Sequence, residues 1–181
     1  MKKISFIVIL ISIFIITSFG LPKAKEVLDE EFGPGGSKVE LVKAKVRNGV
    51  LTLAVRYVHP WEAKTFEEKK KLDKSYVRKV EITRRKIPIK FKVEKVFYIA
   101  NGKRYYVLKD KNGQWLASPV VGDYIADAAS KTSKKGIHPI ILDSEHPVRI
   151  LWFKFPAPPE GIDEIEFQIP GVAPFDVEIK R

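Results

Sequence analysis

Basic residues and tyrosines gather between positions 84 and 106, and they are the residues best suited to binding a ligand. On a β-sheet, aromatic rings beside cations can bind sugars, nucleobases or lipid head groups. We predict that these side chains form the binding surface; the alternative is that the rings face the core and the cations are only solvated. The predicted set is Arg84, Arg85, Lys90, Lys92, Lys103, Arg104, Tyr105 and Tyr106.

Tyr105 and Tyr106 are neighbours in a predicted strand. Successive side chains of a strand point to opposite faces of its sheet. At least one of the two rings is therefore expected outside the core.

All three histidines precede a proline, at positions 59, 138 and 146. His138 and His146 lie near Asp143 and Glu145, so these four side chains offer ligands for a divalent metal. A residue before proline is also pushed into extended geometry, which explains the histidines as strand ends. We predict no metal and no cofactor, and keep a divalent-metal-binding protein as an alternative.

No local motif of an enzyme occurs in the sequence. Ser144, His146 and Asp123 supply the residue types of a hydrolytic triad, but no Gly-x-Ser-x-Gly elbow accompanies them. Acidic residues such as Asp110 lie in predicted turns, where acids are common. We predict that the protein is not an enzyme, and a small exported hydrolase acting on glycans or esters remains the alternative.

The N-terminus has the three parts of an export signal. Lys2 and Lys3 precede an apolar run over residues 4–19, and Ser18 and Gly20 place small side chains at its end. We predict a signal peptide over 1–20, cleaved after Gly20. The alternative is an uncleaved anchor, because the run is marginal for a membrane span. Both place the protein outside the cytoplasm, in the periplasm or cell envelope.

Composition restricts the partners. The chain has 181 residues, no cysteine and a formal net charge of +11 at pH 7. Without cysteine there is no disulfide, thiolate nucleophile or lipid-anchored cysteine. A basic exported protein favours an anionic lipid surface, an acidic wall polymer or an acidic envelope protein, whereas nucleic acid is not expected.

Alternating apolar residues and glycine-centred turns predict the elements that position these side chains. Asn48-Gly49 is predicted as a type I′ turn joining strands 39–46 and 50–58, and Asn101-Gly102 as a second hairpin turn. A third turn is predicted at 110–113. Further strands are predicted at 76–82, 89–99, 103–108, 114–117, 140–142, 148–155, 162–169 and 175–179.

Three other segments are not predicted as strands. Residues 21–37 are predicted as a flexible linker, 64–74 as a surface helix and 119–136 as a long mobile loop. Many short strands without a Rossmann-type glycine pattern predict an all-β fold, a two-sheet antiparallel sandwich over 38–181.

Several segments are similar to those of a known group of domains. They are residues 105–110, 114–118, 151–159 and 169–175, together with the hairpin over 39–58. These segments resemble uncharacterised immunoglobulin-like domains of exported bacterial proteins, of a type sometimes found before domains like outer-membrane protein A. Segments 60–88 and 119–147 look like insertions. The resemblance implies an immunoglobulin-like sandwich and an exported location, and it brings no catalytic residues.

Overall fold

The structure is a computed structural model that describes residues 26–60, 85–128 and 136–179. In these ranges the chain is built of antiparallel β-sheets with two single-turn 3-10 segments, Pro34–Gly36 and Val93–Lys95. The predicted all-β class is confirmed. No helix in the described ranges is long and apolar enough to cross a membrane.

The most regular element is a long hairpin of β2 (Lys38–Arg47) and β3 (Val50–Val58). Asn48 and Gly49 join its strands with φ of 51° and 72°. Two positive φ values are what a type I′ turn requires, so the predicted hairpin is confirmed. A second pair of this kind, Asn101 and Gly102, joins β6 (Phe97–Ala100) to β7 (Lys103–Tyr106).

The hairpin β2–β3 belongs to a five-stranded sheet with the order β1-β2-β3-β14-β8. Its other strands are β1 (Asp29–Phe32), β14 (Val148–Pro156) and β8 (Ala117–Ser118). The strand β1 lies within the range predicted as a flexible linker, and its four residues pair with β2. Alternation of apolar residues does not predict this strand, because its sequence is Asp-Glu-Glu-Phe. The strand is stabilised by its pairing with β2.

The second large sheet has four strands in the order β16-β15-β6-β7. Its strands β15 (Glu164–Gln168) and β16 (Phe175–Glu178) confirm the two strands predicted near the C-terminus. Here β7 is the edge strand, so one side of its backbone has no partner strand within this sheet.

Aromatic side chains of the two large sheets meet in one core. The ring centroids of Phe153 on β14 and Phe167 on β15 are 6.0 Å apart, and those of Phe155 and Phe167 are 5.8 Å apart. Along β14, Leu151, Phe153 and Phe155 are fully buried, whereas Ile150 on the opposite face is 50% exposed. The strand predicted at 148–155 is confirmed, and it has one buried face and one outer face.

Three smaller sheets accompany the two large ones, and two of them contribute side chains to the core. The pair β4 (Ile87–Ile89) and β13 (Ile140–Leu142) places four buried apolar side chains there. A three-stranded sheet contains β5 (Phe91–Lys92), β10 (Tyr124–Ile125) and β9 (Val120–Val121). The last pair is β11 (Asp127–Ala128) with β12 (Ile137–His138).

These small elements correct three predictions. The single strand predicted over 89–99 is divided among β4, β5, the 3-10 turn Val93–Lys95 and β6. The loop predicted over 119–136 contains β9, β10 and β11 in its described part. The strand predicted at 114–117 is reduced to β8, because residues 110–115 form the preceding turn. The signal segment, the helix over 64–74 and the strand over 76–82 lie outside the described residues.

Candidate functional site

The predicted binding residues on β7 divide between the two faces of its sheet. Tyr105 lies on the core side, where its ring stacks on Tyr98 with centroids 4.7 Å apart. Tyr106 lies on the outer side and is 48% exposed. One tyrosine is therefore outside the core, as the alternation predicts.

The outer side of β7 carries a cation on an aromatic surface. Arg104 places its guanidinium carbon 4.7 Å from the ring centroid of Phe97, and the ring of Tyr106 is 5.9 Å from that of Phe97. A shallow groove of about 400 Å³ runs between these side chains, Lys95 and Pro170. Lys103 is also exposed on this strand, but it lies on the same face as Tyr105. Arg104 and Tyr106 are therefore the part of the predicted set that the structure keeps together on one surface.

Lys90 and Lys92 belong to a different part of the molecule, around the three-stranded sheet. The ammonium of Lys90 donates to the carbonyl of Ile137 at 2.9 Å and lies 5.3 Å from the ring centroid of Tyr124. The ammonium of Lys92 forms an ion pair with Glu94 at 3.2 Å. The predicted basic face is thus divided between two sheets.

The two remaining predicted residues precede β4. Arg85 is exposed, and its backbone carbonyl lies 3.1 Å from Nε2 of the buried His59. Arg84 lies outside the described residues. Arg84 and Arg85 are close to Lys90 in the sequence. The sequence does not show that the chain passes from the sheet of β4 to the sheet of β5 at Lys90.

A second surface, absent from the predicted set, forms where the chain leaves β7 and crosses to the five-stranded sheet. Leu108 donates its backbone N–H to the carbonyl of Lys154 on β14 at 2.9 Å, and Lys154 donates to the carbonyl of Leu116 at 2.9 Å. Leu116 in turn donates to Leu108 at 2.8 Å. These bonds fix the segment 108–116 against β14.

The turn within this segment is stabilised by hydrogen bonds to the carboxylate of its first residue, Asp110. The Asp110 carboxylate accepts the backbone N–H groups of Asn112 and Gln114 at 2.8 and 2.9 Å, and Gly113 has a φ of 77°. The prediction of a turn at 110–113 is confirmed. The turn orients Trp115, which bridges to Lys109 across it.

Trp115 and Trp152 together line a groove of about 650 Å³. Trp152 reaches it from the outer face of β14, opposite Ser118 on β8. The indole N–H of Trp115 donates to the carboxylate of Asp123 at 2.8 Å. Gln114 and Ser118 add an amide and a hydroxyl to the lining. We call this the tryptophan groove.

Two lysines lie over the rings of the tryptophan groove. The ammonium of Lys109 is 4.0 Å from the ring centroid of Trp115, and that of Lys154 is 5.8 Å from the ring centroid of Trp152. Such cation–π contacts are favourable by about 0.5–1 kcal/mol at exposed sites. Sequence reasoning overlooked this groove, although alternation along the predicted strand 148–155 already separates Trp152 from Phe153 and Phe155.

The residues considered for hydrolysis or metal binding have other partners. The Asp143 carboxylate accepts backbone N–H groups from Glu145 and His146 at 3.0 and 2.8 Å, and Nδ1 of His146 lies 3.5 Å from it. Burial opposes its charged form, but these hydrogen bonds outweigh burial and lower the pKa of Asp143. Asp123 instead accepts from Trp115. The described ranges contain no group of three or more His, Asp or Glu side chains placed to hold a metal ion.

Acidic residues occupy the outer face of the second sheet beyond β7. Cross-strand register puts Glu164 opposite Glu178 and Glu166 opposite Asp176 on β15 and β16. The same face is basic at β7, so charge changes sign across the four strands.

Comparison of the chain with protein-family models, with curated proteins and with solved structures finds no match.

Proposed function

We propose that this protein is a non-enzymatic, exported domain of the cell envelope that binds an anionic partner. The observation that carries the proposal is a set of three cation–aromatic pairs along adjoining parts of the chain. These pairs are Arg104 with Phe97, Lys109 with Trp115, and Lys154 with Trp152.

The three pairs lie near the edge where the chain crosses from one sheet to the other, two of them on the outer faces of different sheets. The pair at Arg104 lies on β7, the pair at Lys109 follows directly along the chain, and the pair at Lys154 lies on β14. Backbone hydrogen bonds join the segment after β7 to β14. Cations held over aromatic rings are already ordered, which reduces the entropy lost when a ligand binds them.

Strand order supports an immunoglobulin-like sandwich as the fold of this domain. The order β2-β3-β14-β8 corresponds to strands A-B-E-D of that architecture, and β16-β15-β6-β7 corresponds to G-F-C-C′. The fold carries no function by itself. Its contribution is rigidity, because the cations lie on paired strands or on a segment bonded to them.

The envelope location rests on the sequence of residues 1–20, which has the pattern of an export signal. Outside the cytoplasm, the abundant polyanions are acidic wall polymers, anionic lipids and acidic proteins. The whole chain has a formal net charge of +11, and cleavage after Gly20 removes Lys2 and Lys3 and leaves +9, which favours encounter with any of them.

Sedimentation with purified wall material and with anionic vesicles tests the proposal. Binding is expected at about 0.1 M salt and is expected to fall strongly at about 1 M, because the Debye length shrinks from ~10 to ~3 Å. The double variant Lys103→Glu/Arg104→Glu should weaken binding. Lys43→Glu/Lys45→Glu is the matched control, since it changes the same charge on exposed lysines of β2.

Two results would contradict the proposal. One is that the wild-type protein sediments with neither material at low salt. The other is that the two double variants lose binding equally, which would mean that net charge alone attracts the protein to the polymer.

A further inference from the structure

We infer that the tryptophan groove is a binding site for an acidic glycan, a saccharide chain that carries carboxylates. This inference rests on the proposed function, because it names the class of partner. The groove is lined by Trp115, Trp152, Asp123, Gln114 and Ser118.

The lining has the two kinds of group that a saccharide needs. The faces of a sugar ring present C–H groups, which pack on the electron-rich face of an indole. Its hydroxyls need both hydrogen-bond donors and acceptors. Gln114 offers an amide, Ser118 a hydroxyl and Asp123 a carboxylate oxygen. A lipid acyl chain would use none of these three polar groups.

The groove is also held in place before a ligand arrives. Trp115 is fixed by its hydrogen bond to Asp123 at 2.8 Å and by the ammonium of Lys109 at 4.0 Å from its ring. Trp152 extends from a nine-residue strand that is paired along its length with β3. A preordered site loses less side-chain entropy on binding.

The charges select an acidic saccharide over a neutral one. Lys109 and Lys154 lie beside the lining residues and hold two ammonium groups over the tryptophan rings, whereas Asp123 in the lining brings one carboxylate. Neither lysine forms an ion pair with a carboxylate of the described residues. A carboxylate on the saccharide therefore finds an ammonium that no described acid neutralises.

Calorimetric titration with oligogalacturonate, a chain of uronic acids, tests the inference. Its methyl-esterified form is the neutral control, because it keeps the rings and removes the charges. We expect the acidic oligomer to bind at least about tenfold more tightly than the ester. Trp152→Ala should weaken its binding by at least about tenfold, which is about 1.4 kcal/mol. Ile150→Ala, on the same face of β14 and outside the groove, should leave binding unchanged.

A charge variant tests the selection separately. Lys109→Gln/Lys154→Gln should remove the preference for the acidic oligomer over the ester. Thermal unfolding of each variant shows whether it is folded. Gln114→Ala is a further variant of the groove, at a residue that lies outside the core. A folded Gln114→Ala is expected to bind the oligomer severalfold more weakly.

Failure of the inference can be separated from failure of the proposed function. Unchanged oligomer binding by Trp152→Ala, or equal binding of the acid and the ester, would overturn the acidic-glycan site. If Trp152→Ala then still binds anionic vesicles in a salt-dependent way, and Lys103→Glu/Arg104→Glu does not, the proposed function stands on β7. A single-stranded oligodeoxynucleotide that binds the groove more tightly than the oligomer would also overturn the inference. If the wild-type protein binds neither the oligomer nor anionic vesicles nor wall material, both the inference and the proposed function are overturned.

Discussion

Replacing Glu40 by glutamine is expected to destabilise the fold, because this carboxylate anchors a row of charges across three strands. Glu40 on β2 is only 5% exposed. Its carboxylate accepts hydrogen bonds from Arg56 on β3 and from Lys38, the latter at 3.0 Å. Lys38 also contacts Glu30 on β1 at 2.7 Å. Glutamine keeps the shape but places an amide donor beside these cations.

The size of the effect follows from the exposure of the three partners. Breaking a fully buried ion pair costs about 3–5 kcal/mol, and a hydrogen bond to a charged group contributes about 1.5–3 kcal/mol. The side chains of Lys38 and Arg56 are 32% and 31% exposed, so water can solvate them when Glu40 is neutral. We therefore expect a loss of about 2 kcal/mol, or about 4–8 °C in Tm for a chain of this size.

The pH dependence gives a second measurement of the same interaction. Burial opposes ionisation of Glu40, but the hydrogen bonds from Arg56 and Lys38 outweigh burial and lower its pKa below 4.5. A group with a lowered folded pKa stabilises the protein above its unfolded pKa and loses that contribution as the pH falls through its folded pKa. The difference between wild type and Glu40→Gln should thus be full at pH 7 and should shrink below about pH 4.5.

Urea unfolding at pH 7 and at about pH 3 measures both quantities. The control is Glu164→Gln on the exposed face of β15, which should change stability by no more than about 0.5 kcal/mol. Equal stability of wild type and Glu40→Gln at pH 7 would refute the anchoring role. A difference that persists undiminished at acidic pH would refute its electrostatic origin.

Three further predictions concern the turn, the outer tryptophan and the mature terminus. Gly49→Val should lower the free energy of unfolding in urea by about 1–2 kcal/mol, because Gly49 has a φ of 72°. An added Cβ meets no atom within 4 Å, so the effect comes from the backbone conformation alone. A change near zero would mean that the backbone relaxes. Phe153→Ala should cost about 3–5 kcal/mol, whereas Trp152→Ala on the outer face should cost less than half as much; equal losses would place Trp152 in the core. N-terminal sequencing of exported protein should begin at Leu21, and a retained Met1 would favour the anchor.

Local chemistry made the hairpins predictable from the sequence. The turns at Asn48-Gly49 and Asn101-Gly102 depend on residues that tolerate positive φ, and such residues are visible without knowledge of the fold. Alternation over the strand predicted at 162–169 likewise puts Ile165 and Phe167 on one face, and both are buried. These features need no contact with distant parts of the chain.

Alternation failed over 89–99 because it reports which face is buried and not whether a strand continues. Ile89, Phe91 and Val93 are all buried, as their spacing predicts. Each nevertheless belongs to a different element, and a 3-10 turn at Val93–Lys95 separates β5 from β6. The chain passes between sheets while it keeps one side toward a common core. This change of sheet separates Lys90 and Lys92 from Lys103 and Arg104, which were predicted to share one basic face.

The tryptophan groove depends on pairings that no local signal specifies. Trp115 and Trp152 are distant in sequence and meet because Leu108, Leu116 and Lys154 exchange backbone hydrogen bonds. Backbone pairing of this kind is independent of side-chain type, so neither composition nor spacing encodes it. One sign was present in the sequence: alternation along β14 places Trp152 on the face opposite Phe153. A large aromatic side chain that the strand period excludes from the core needs another partner, and here the adjoining groove supplies Trp115 and a carboxylate, with Lys154 over the ring of Trp152.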